Sequence, residues 1–150
     1  MVRAIQLATE NVRSGQGGPF GAVIVKNGNI IAEDVNQVTL TNDPTAHAEV
    51  LAIRGACRKL GHFELKDCEL YTSCEPCPMC LGAIYWSRLS RVYFGCLAAD
   101  ASQAGFDDSF IYREISHNHP DRGIPLVQMM REEALAAFRA WQETTDKIRY

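Results

Sequence analysis

The sequence contains no long apolar run, which argues against a membrane-spanning protein. Its 150 residues are 47% hydrophobic and 22% charged, ordinary values for a globular domain. No stretch approaches the roughly 20 consecutive apolar residues that a membrane helix needs. The first residues, MVRAIQLATENVR, also lack the continuous apolar core of a secretory signal peptide. We therefore expect one domain, residues 1–150, located in the cytoplasm.

An excess of basic residues is also missing. The chain has 15 Lys and Arg against 18 Asp and Glu, for a net charge of −3. Proteins that bind nucleic acid usually carry a basic stripe that neutralises phosphates. The densest basic cluster is Arg54, Arg58 and Lys59, which one solvated helix face explains. The composition therefore argues against a nucleic-acid substrate without excluding one.

Repeats, low-complexity segments and a second domain boundary are absent as well, and the remaining pattern is that of an α/β protein. Residues 1–13 predict an amphipathic helix with Ile5, Ala8 and Val12 on one face. Asn27-Gly28 between GAVIVK and NIIAE predicts a β-hairpin, because both central residues of its turn need a positive φ.

The middle of the chain alternates predicted strands and helices. Asp43 and Pro44 are typical of an N-cap and a first helical residue, and predict a helix that ends near Leu60. Further predicted elements are strands over 68–73 and 91–95, a buried helix over 78–87 and a last helix over about 131–142. This alternation predicts a sheet with helices packed on its faces.

The stretch TSCEPCPMC contains three cysteines, Cys74, Cys77 and Cys80, whose spacing is compatible with several kinds of chemistry. A reducing cytoplasm makes stable disulfides unfavourable. A redox pair, a metal site and inert buried thiols all fit a Cys-x-x-Cys spacing at a helix start. An iron–sulfur cluster fits poorly, because the next cysteine is Cys96 and is followed by Leu97 rather than proline.

The stretch TAHAEV favours a metal site over a redox pair or inert buried thiols. His47 and Glu49 lie in the predicted first turn of one helix, and Cys77 and Cys80 lie in the first turn of the next. Helices that follow adjacent strands present their N-termini at one edge of the sheet, where one imidazole and two thiolates can converge. Three protein ligands plus water are the arrangement of catalytic zinc, and four protein ligands are that of structural zinc. Cys74 decides between these cases, and we assign it to packing around the site.

The chain resembles the zinc deaminases. H-A-E at 47–49 and P-C-P-M-C at 76–80 match their signature H-x-E…P-C-x-x-C. The resemblance to the cytidine-deaminase-like superfamily extends from the first helix to about Gly95. Within that superfamily the chain is most similar to the guanine deaminases, through GGPFGAVIV, NDPTAHAEV, SCEPCPMCLGAIYW, GFDDSFIY and a C-terminal tyrosine.

The resemblance implies a three-layer α/β/α fold, with a central mixed sheet and helices on both faces. It also implies one zinc ion per chain and a role in purine catabolism, the hydrolysis of guanine to xanthine and ammonia. Zinc-bound hydroxide would attack C2 of the base, while Glu49, two residues after His47, shuttles protons.

Further residue roles follow from the same resemblance. Asp108 is expected to recognise the purine edge or to relay protons to the leaving amine. Tyr150 is expected to close the pocket of a partner subunit, so that residues of about 131–150 are exchanged within a homodimer. The resemblance also implies that Asn36 hydrogen-bonds the base. Phe20, Ala48 and Trp86 complete the candidate substrate-binding set with Asn36 and Tyr150, although Phe20 and Trp86 also fit a role as core aromatics.

Three alternatives stay open at this point. A tRNA-specific adenosine deaminase shares the metal signature but needs a basic surface. A cytosine or triazine (ammeline-type) deaminase would use the same zinc chemistry. A structural zinc-binding module would need Cys74 as a fourth ligand and would leave Glu49 without a task.

Overall fold

The sheet starts from the hairpin that Asn27 and Gly28 predict. Strands β1 (Gly21–Lys26) and β2 (Asn29–Val35) pair antiparallel, with Lys26 opposite Asn29. Asn27 has φ 50° and Gly28 has φ 76°, the positive values that a tight two-residue turn requires. The sequence therefore places this turn correctly, and the pairing next to it continues with Val25 opposite Ile30. Beyond Val25 the register shifts by one residue, so that Ile24 lies opposite Ala32.

The structure, a computed structural model, describes the backbone of residues 1–150 and every side chain except that of Pro120. It divides the chain into two units, Met1–Asp108 and Ser109–Tyr150. The other elements of the first unit are α1 (Val2–Arg13), α2 (Val38–Thr41), α3 (Ala48–Leu60), β3 (Cys68–Cys74), α4 (Pro78–Trp86), β4 (Arg91–Cys96) and α5 (Ala98–Gln103). None of the helices in the described part of the chain is long and apolar enough to cross a membrane.

The strands form a mixed sheet in the order β2-β1-β3-β4. Both β2 and β3 pair antiparallel with β1, and β4 pairs parallel with β3. The prediction that the two helices follow adjacent strands was wrong, because β1 lies between β2 and β3. They still run in the same direction, because each is antiparallel to the strand between them. Their carboxyl ends, and the helices that follow, consequently meet at one edge of the sheet.

Helices cover both faces of this sheet, as predicted. On one face, α1 packs Ala4 and Leu7 against Val23 of β1. On the other, α3 and α4 pack against Ala22, Ile24 and Leu70 around a larger core. Successive strand residues point to opposite faces, so β1 supplies both cores from alternate positions.

The buried face of α1 differs from the prediction. Its buried residues are Ala4, Leu7, Ala8 and Asn11, whereas Ile5 and Val12 are about half exposed. The helix lies close to β1: a Cβ placed on Gly21 would be 2.5 Å from the carbonyl oxygen of Ala4. Close approach through small residues, rather than the position of the largest apolar side chains, therefore sets the orientation of α1.

The second predicted helix begins later than expected. Asp43 forms a turn instead of a cap, because its Oδ1 accepts hydrogen bonds from the backbone N–H and the hydroxyl of Thr45 at 2.8 and 2.7 Å. Helix α3 begins at Ala48 with His47 as its N-cap residue. The prediction that a helix runs from Pro44 was therefore wrong by about one turn, while its end at Leu60 before Gly61 was correct.

Helix α4 is less buried than the sequence suggested. Cys80 and Ile84 are buried, but Tyr85 and Trp86 are largely exposed.

Helices α2 and α5 were not predicted, and β2 extends to Val35. A helix of four residues such as α2 has too few turns for a periodic pattern to be recognised.

The second unit contains α6 (Ser109–Ser116), a short 3-10 turn (His119–Asp121) and α7 (Arg131–Glu143). The start of α7 agrees with the prediction, and α6 corresponds to the loop or short helix expected near residues 105–112. Within this unit, Glu114 accepts a hydrogen bond from the backbone N–H of Gly123 at 2.7 Å. That contact ties α6 to the segment that follows the 3-10 turn.

Candidate metal centre and active site

Two helix N-termini at the same sheet edge bring three potential metal ligands together. His47 is the N-cap residue of α3, Cys77 is the N-cap residue of α4, and Cys80 lies in the first turn of α4. His47 Nδ1 is 3.5 Å from Cys77 Sγ and 3.4 Å from Cys80 Sγ. All three ligand atoms lie within 4.8 Å of one another. The helices thus begin at the residues that define the site.

The spacing and chemistry of these three side chains fit zinc. Zinc–nitrogen bonds of about 2.0–2.1 Å and zinc–sulfur bonds of about 2.3 Å give a nitrogen–sulfur edge of about 3.5 Å in a tetrahedron. The two measured distances, 3.5 and 3.4 Å, match that edge. Imidazole and thiolate are also the ligands that zinc prefers in proteins. The group can therefore hold one zinc ion.

The electrostatics of the site favour a thiolate at Cys77. Its pKa is lowered to about 4, first because the Cys80 thiol donates a hydrogen bond to it and then because His47 lies beside it. The same hydrogen bond and burial raise the pKa of Cys80. The pKa of His47 is raised, chiefly by its contact with Cys77. Both cysteines lie at a helix N-terminus, whose positive dipole end further favours the thiolate.

Glu49 is a buried carboxyl group beside these ligands. It is 5% exposed, and its Oε2 lies 3.5 Å from Cys80 Sγ. Its Oε1 accepts a hydrogen bond from the Thr72 hydroxyl at 3.4 Å. Burial raises the pKa of Glu49, because an ionised group loses solvation inside the protein. A carboxyl group held in this way is suited to take up and release protons at the site.

Cys74 lies outside the ligand group. Among the described side chains, the cluster with atoms at ligand distance consists of His47, Cys77 and Cys80. Cys74 is buried at the end of β3, where its thiol contacts the carbonyl oxygen of Leu97 at 3.7 Å. Burial raises its pKa to about 11, which keeps it as a thiol. Its environment is that of a packing residue, and three protein ligands correspond to a catalytic site.

Asp108, the last residue of the first unit, is within electrostatic range of the ligands. Burial raises its pKa first, and the negative charge of Cys77 raises it further. In turn, the carboxylate of Asp108 contributes to the raised pKa of His47. The charge of Asp108 therefore interacts with two of the three ligands.

Asn36 and Phe20 are joined through their backbones. The N–H of Asn36 donates to the carbonyl oxygen of Phe20 at 3.0 Å. Asn36 is 7% exposed, and its Oδ1 accepts from the N–H of Val38 at 3.3 Å. The Nδ2 group is thereby left to act as the donor of this side chain. The ring of Phe20 packs edge to face against Phe106, with centroids 5.0 Å apart.

The other residues expected around the substrate lie in different environments. Ala48 is fully buried as the first residue of α3, next to His47. Trp86 is 64% exposed and ends α4, about 13 Å from Cys77 by helical rise. Tyr150 is 76% exposed in the second unit. The structure thus brings Ala48 to the metal group but separates Trp86 from it by the length of α4.

Residues 1–96 match the family model described as the cytidine and deoxycytidylate deaminase zinc-binding region. The chain belongs to this zinc deaminase family. The metal group, Glu49 and the sheet edge that carries them all fall within the matched region. The resemblance inferred from the sequence is therefore confirmed at the level of the family, and zinc is its cofactor.

Known members of the zinc deaminase family resemble the chain to different extents. The guanine deaminase of Bacillus subtilis (strain 168) is 59% identical over 148 residues, 99% of this chain and 95% of that protein. The X-ray structure of the guanine deaminase from Bacillus subtilis has a TM-score of 0.96 at 58% identity, again covering 99% and 95% of the two chains. The tRNA-specific adenosine deaminase of Aquifex aeolicus (strain VF5) is 47% identical over 102 residues, 67% of this chain and 66% of that protein.

Two buried polar residues near this zinc deaminase site were missed by the sequence reasoning. Thr72 contacts Glu49, and it lies on the same face of β3 as the core residue Leu70, where a polar side chain is unexpected. Asn11 contacts the backbone of Asn36 from the buried face of α1. A polar residue within an apolar stripe was the available signal in both cases. For Asn11 it was hidden because the stripe was assigned to the wrong face.

Proposed function

We propose that this chain is a guanine deaminase, a zinc-dependent hydrolase that converts guanine and water to xanthine and ammonia. The observation that carries the proposal is the juxtaposition of His47, Cys77 and Cys80 with the buried carboxyl group of Glu49. The 59% identity to a guanine deaminase, which extends over 99% of the chain, supports the choice of substrate.

His47, Cys77 and Cys80 would hold the zinc ion. When bound, zinc lowers the pKa of water to about 7 and so makes hydroxide available as a nucleophile at neutral pH. The helix N-termini that carry the ligands favour negative charge at this place. The buried position of Cys80 limits access of solvent from the side of the protein core.

Glu49 would transfer the protons of the reaction. Deamination at C2 requires a proton on the neighbouring ring nitrogen during attack and another on the departing amine. One carboxyl group beside both the nucleophile and the base can carry out both transfers. Oε2 is the oxygen next to the metal ligands, and the hydroxyl of Thr72 fixes Oε1. The hydrogen bond from Thr72 thereby orients Oε2 for its role.

Recognition of the base is assigned to side chains around this group. The Nδ2 group of Asn36 can donate to an acceptor on the purine, and the face of Phe20 can contact the ring. The carboxylate of Asp108 can accept from the N–H groups around C2 or receive a proton for the leaving amine. Ala48 offers backbone at the start of α3, and Trp86 and Tyr150 remain proposed pocket residues.

Guanine is favoured over the substrates of related enzymes. The matched region of the Aquifex tRNA-specific adenosine deaminase covers 67% of the chain, against 99% for the guanine deaminase. The net charge of −3 is also unfavourable for binding an RNA stem. Cytosine and triazines are smaller rings that would use the same metal chemistry, and activity with them is decided by experiment.

The setting of the enzyme is part of the proposal. None of the six cysteines, each of them described, forms a disulfide, which fits a reducing cytoplasm. A role in purine catabolism follows from the proposed reaction. We further propose a homodimer in which residues of about 131–150 are exchanged and Tyr150 closes the partner's pocket.

A substrate panel tests the function. Zinc is counted per chain, and ammonia release is measured with guanine, adenine, cytosine, cytidine, ammeline and a tRNA anticodon stem-loop. The expected result is one zinc ion per chain and the highest kcat/KM with guanine. Faster turnover of the stem-loop or of cytosine would contradict the proposed substrate. A zinc-loaded protein that releases no ammonia from any of these compounds would contradict the proposed reaction.

A further inference from the structure

Asn11 is a buried polar residue on a helix face that is otherwise apolar. Its neighbours on that face of α1 are Ala4, Leu7 and Ala8, and it is 5% exposed. Burial of an amide side chain is unfavourable unless its hydrogen-bonding groups find partners. A buried asparagine is therefore expected to form hydrogen bonds with specific groups of the protein.

The partners of Asn11 are two backbone carbonyl groups on different loops. Its Nδ2 donates to the carbonyl oxygen of Gly18 and to that of Asn36, both at 2.9 Å. Both partners are acceptors, so the amino end of the amide must face them. The two hydrogens of Nδ2 match the two carbonyl oxygens. One side chain thus connects α1 to the loop before β1 and to the loop after β2.

These two loops carry residues assigned to base binding. Phe20 follows Gly18, and its N–H donates to the carbonyl oxygen of Gly18 at 2.8 Å. The N–H of Asn36 donates to the carbonyl oxygen of Phe20 at 3.0 Å. The peptide groups around Asn36 are consequently held on both sides, by Phe20 at the nitrogen and by Asn11 at the oxygen.

Gly17 leaves the space that this connection needs. A Cβ on Gly17 would lie 2.1 Å from the carbonyl oxygen of Asn36 and 2.7 Å from Nδ2 of Asn11. Neither approach is possible for a real side chain, because both fall well inside van der Waals contact. The backbone of residue 17 and the amide of Asn11 therefore pack directly against the same carbonyl group.

We propose that Asn11 is a positioning residue for base recognition, which fixes the backbone of Asn36 and of the Phe20 loop so that both side chains face the substrate. The inference rests on the proposed function, since it takes Asn36 and Phe20 as groups that bind the base. Asn11 itself lies on α1, whereas the metal ligands lie on α3 and α4. It acts through Asn36 and the Phe20 loop, and it leaves the metal group intact.

The central test compares Asn11→Ala with Leu7→Ala. Leu7 is also buried on α1, but it packs against Val23 on the sheet face, so its truncation lowers stability without changing the two loops. Zinc content, unfolding midpoint, KM and kcat for guanine are measured well below the unfolding midpoint. Asn11→Ala is expected to raise KM roughly tenfold with one zinc ion per chain retained. Leu7→Ala is expected to keep KM within about twofold of the wild type.

A double-mutant cycle separates positioning from general destabilisation. If Asn11 acts in part through Asn36, then Asn11→Ala raises KM by clearly less than tenfold when Asn36→Ala is already present, because only the effect on the Phe20 loop remains. An equal tenfold effect in both backgrounds would overturn the proposal. So would an unchanged KM in a folded Asn11→Ala protein, or the same rise in KM for Leu7→Ala.

Asn11→Ser guards against a variant that does not fold. Serine keeps one donor and leaves room for a water molecule, so its KM is expected to lie between those of the wild type and Asn11→Ala. Hydrogen exchange at the Asn36 amide gives a second readout, expected to quicken in the Asn11 variants but not in Leu7→Ala. If the wild type does not deaminate guanine, the proposed function fails by itself, and the cycle is run with whichever base the wild type does deaminate.

Discussion

Replacement of Glu49 by glutamine is the most direct test of the proposed chemistry. Glutamine has the shape of glutamate but cannot carry protons between water and the base. In the structure the change preserves the surroundings, because the amide oxygen can still accept from Thr72 while the amino group faces the sulfur of Cys80. His47, Cys77 and Cys80 are not altered, so one zinc ion per chain is expected to remain.

The magnitude follows from the number of transfers that Glu49 performs. A positioned general acid or base contributes about 10²- to 10⁴-fold to the rate. Because one residue serves both proton transfers, we expect a loss of kcat near the upper end, roughly 10⁴-fold, or about 5.5 kcal/mol of transition-state stabilisation. Stability is expected to be kept or raised, since glutamate is 5% exposed here and an ionised carboxylate is costly to bury.

The assay follows xanthine formation and ammonia release with zinc-loaded protein, and zinc is counted in the same sample. Glu10→Gln makes the same substitution at an exposed position of α1, a helix that carries no metal ligand, and serves as the control. It is expected to keep the activity of the wild type. If Glu49→Gln with a full complement of zinc turned over guanine at a rate near that of the wild type, Glu49 would have no part in the proton transfers.

Three further predictions concern residues around the same site. Asp108→Ala is expected to lower kcat/KM for guanine at least about 10²-fold while zinc content stays at one per chain, because Asp108 interacts electrostatically with Cys77 but is not one of the ligands. Loss of zinc instead would make it a structural residue. Cys74→Ser is expected to retain zinc and Cys80→Ser to lose it in a chelator competition, because Cys80 alone of the two is at ligand distance from His47; equal loss from both would indicate a four-ligand site. Deletion of residues 148–150 is expected to reduce turnover without reducing zinc content, and an unchanged rate would exclude Tyr150 as a lid.

Much of the site could be predicted from short stretches of sequence. His47 and Glu49 lie two residues apart, and Cys77 and Cys80 three apart, so each pair is held by local helix geometry once its helix forms. The Asn27-Gly28 turn is equally local, since the positive φ of its two residues is a property of those residues. Ligand pairs and turns that depend only on residues close together in the chain can therefore be predicted without a structure.

Contacts between distant segments could not be predicted in this way. Asn11 and Asn36 are 25 residues apart, and Thr72 and Glu49 are 23 apart. Their meeting depends on the strand order β2-β1-β3-β4 and on the face that α1 turns inward. Periodicity shows that a helix is amphipathic, but the small residues at its closest approach to the sheet decide its rotation.

Cys74 shows the same difference between what the local sequence predicts and what only the folded chain decides. In the chain it is spaced from Cys77 as Cys77 is from Cys80, so spacing makes the three thiols equivalent. Folding separates them, because β3 ends at Cys74 and turns its thiol toward Leu97, while the first turn of α4 directs the other two to His47. The residue types fixed which metal and which chemistry are possible here. The tertiary structure at the end of β3 decided the number of protein ligands. A side chain can bind an ion only if its backbone places it within reach of that ion.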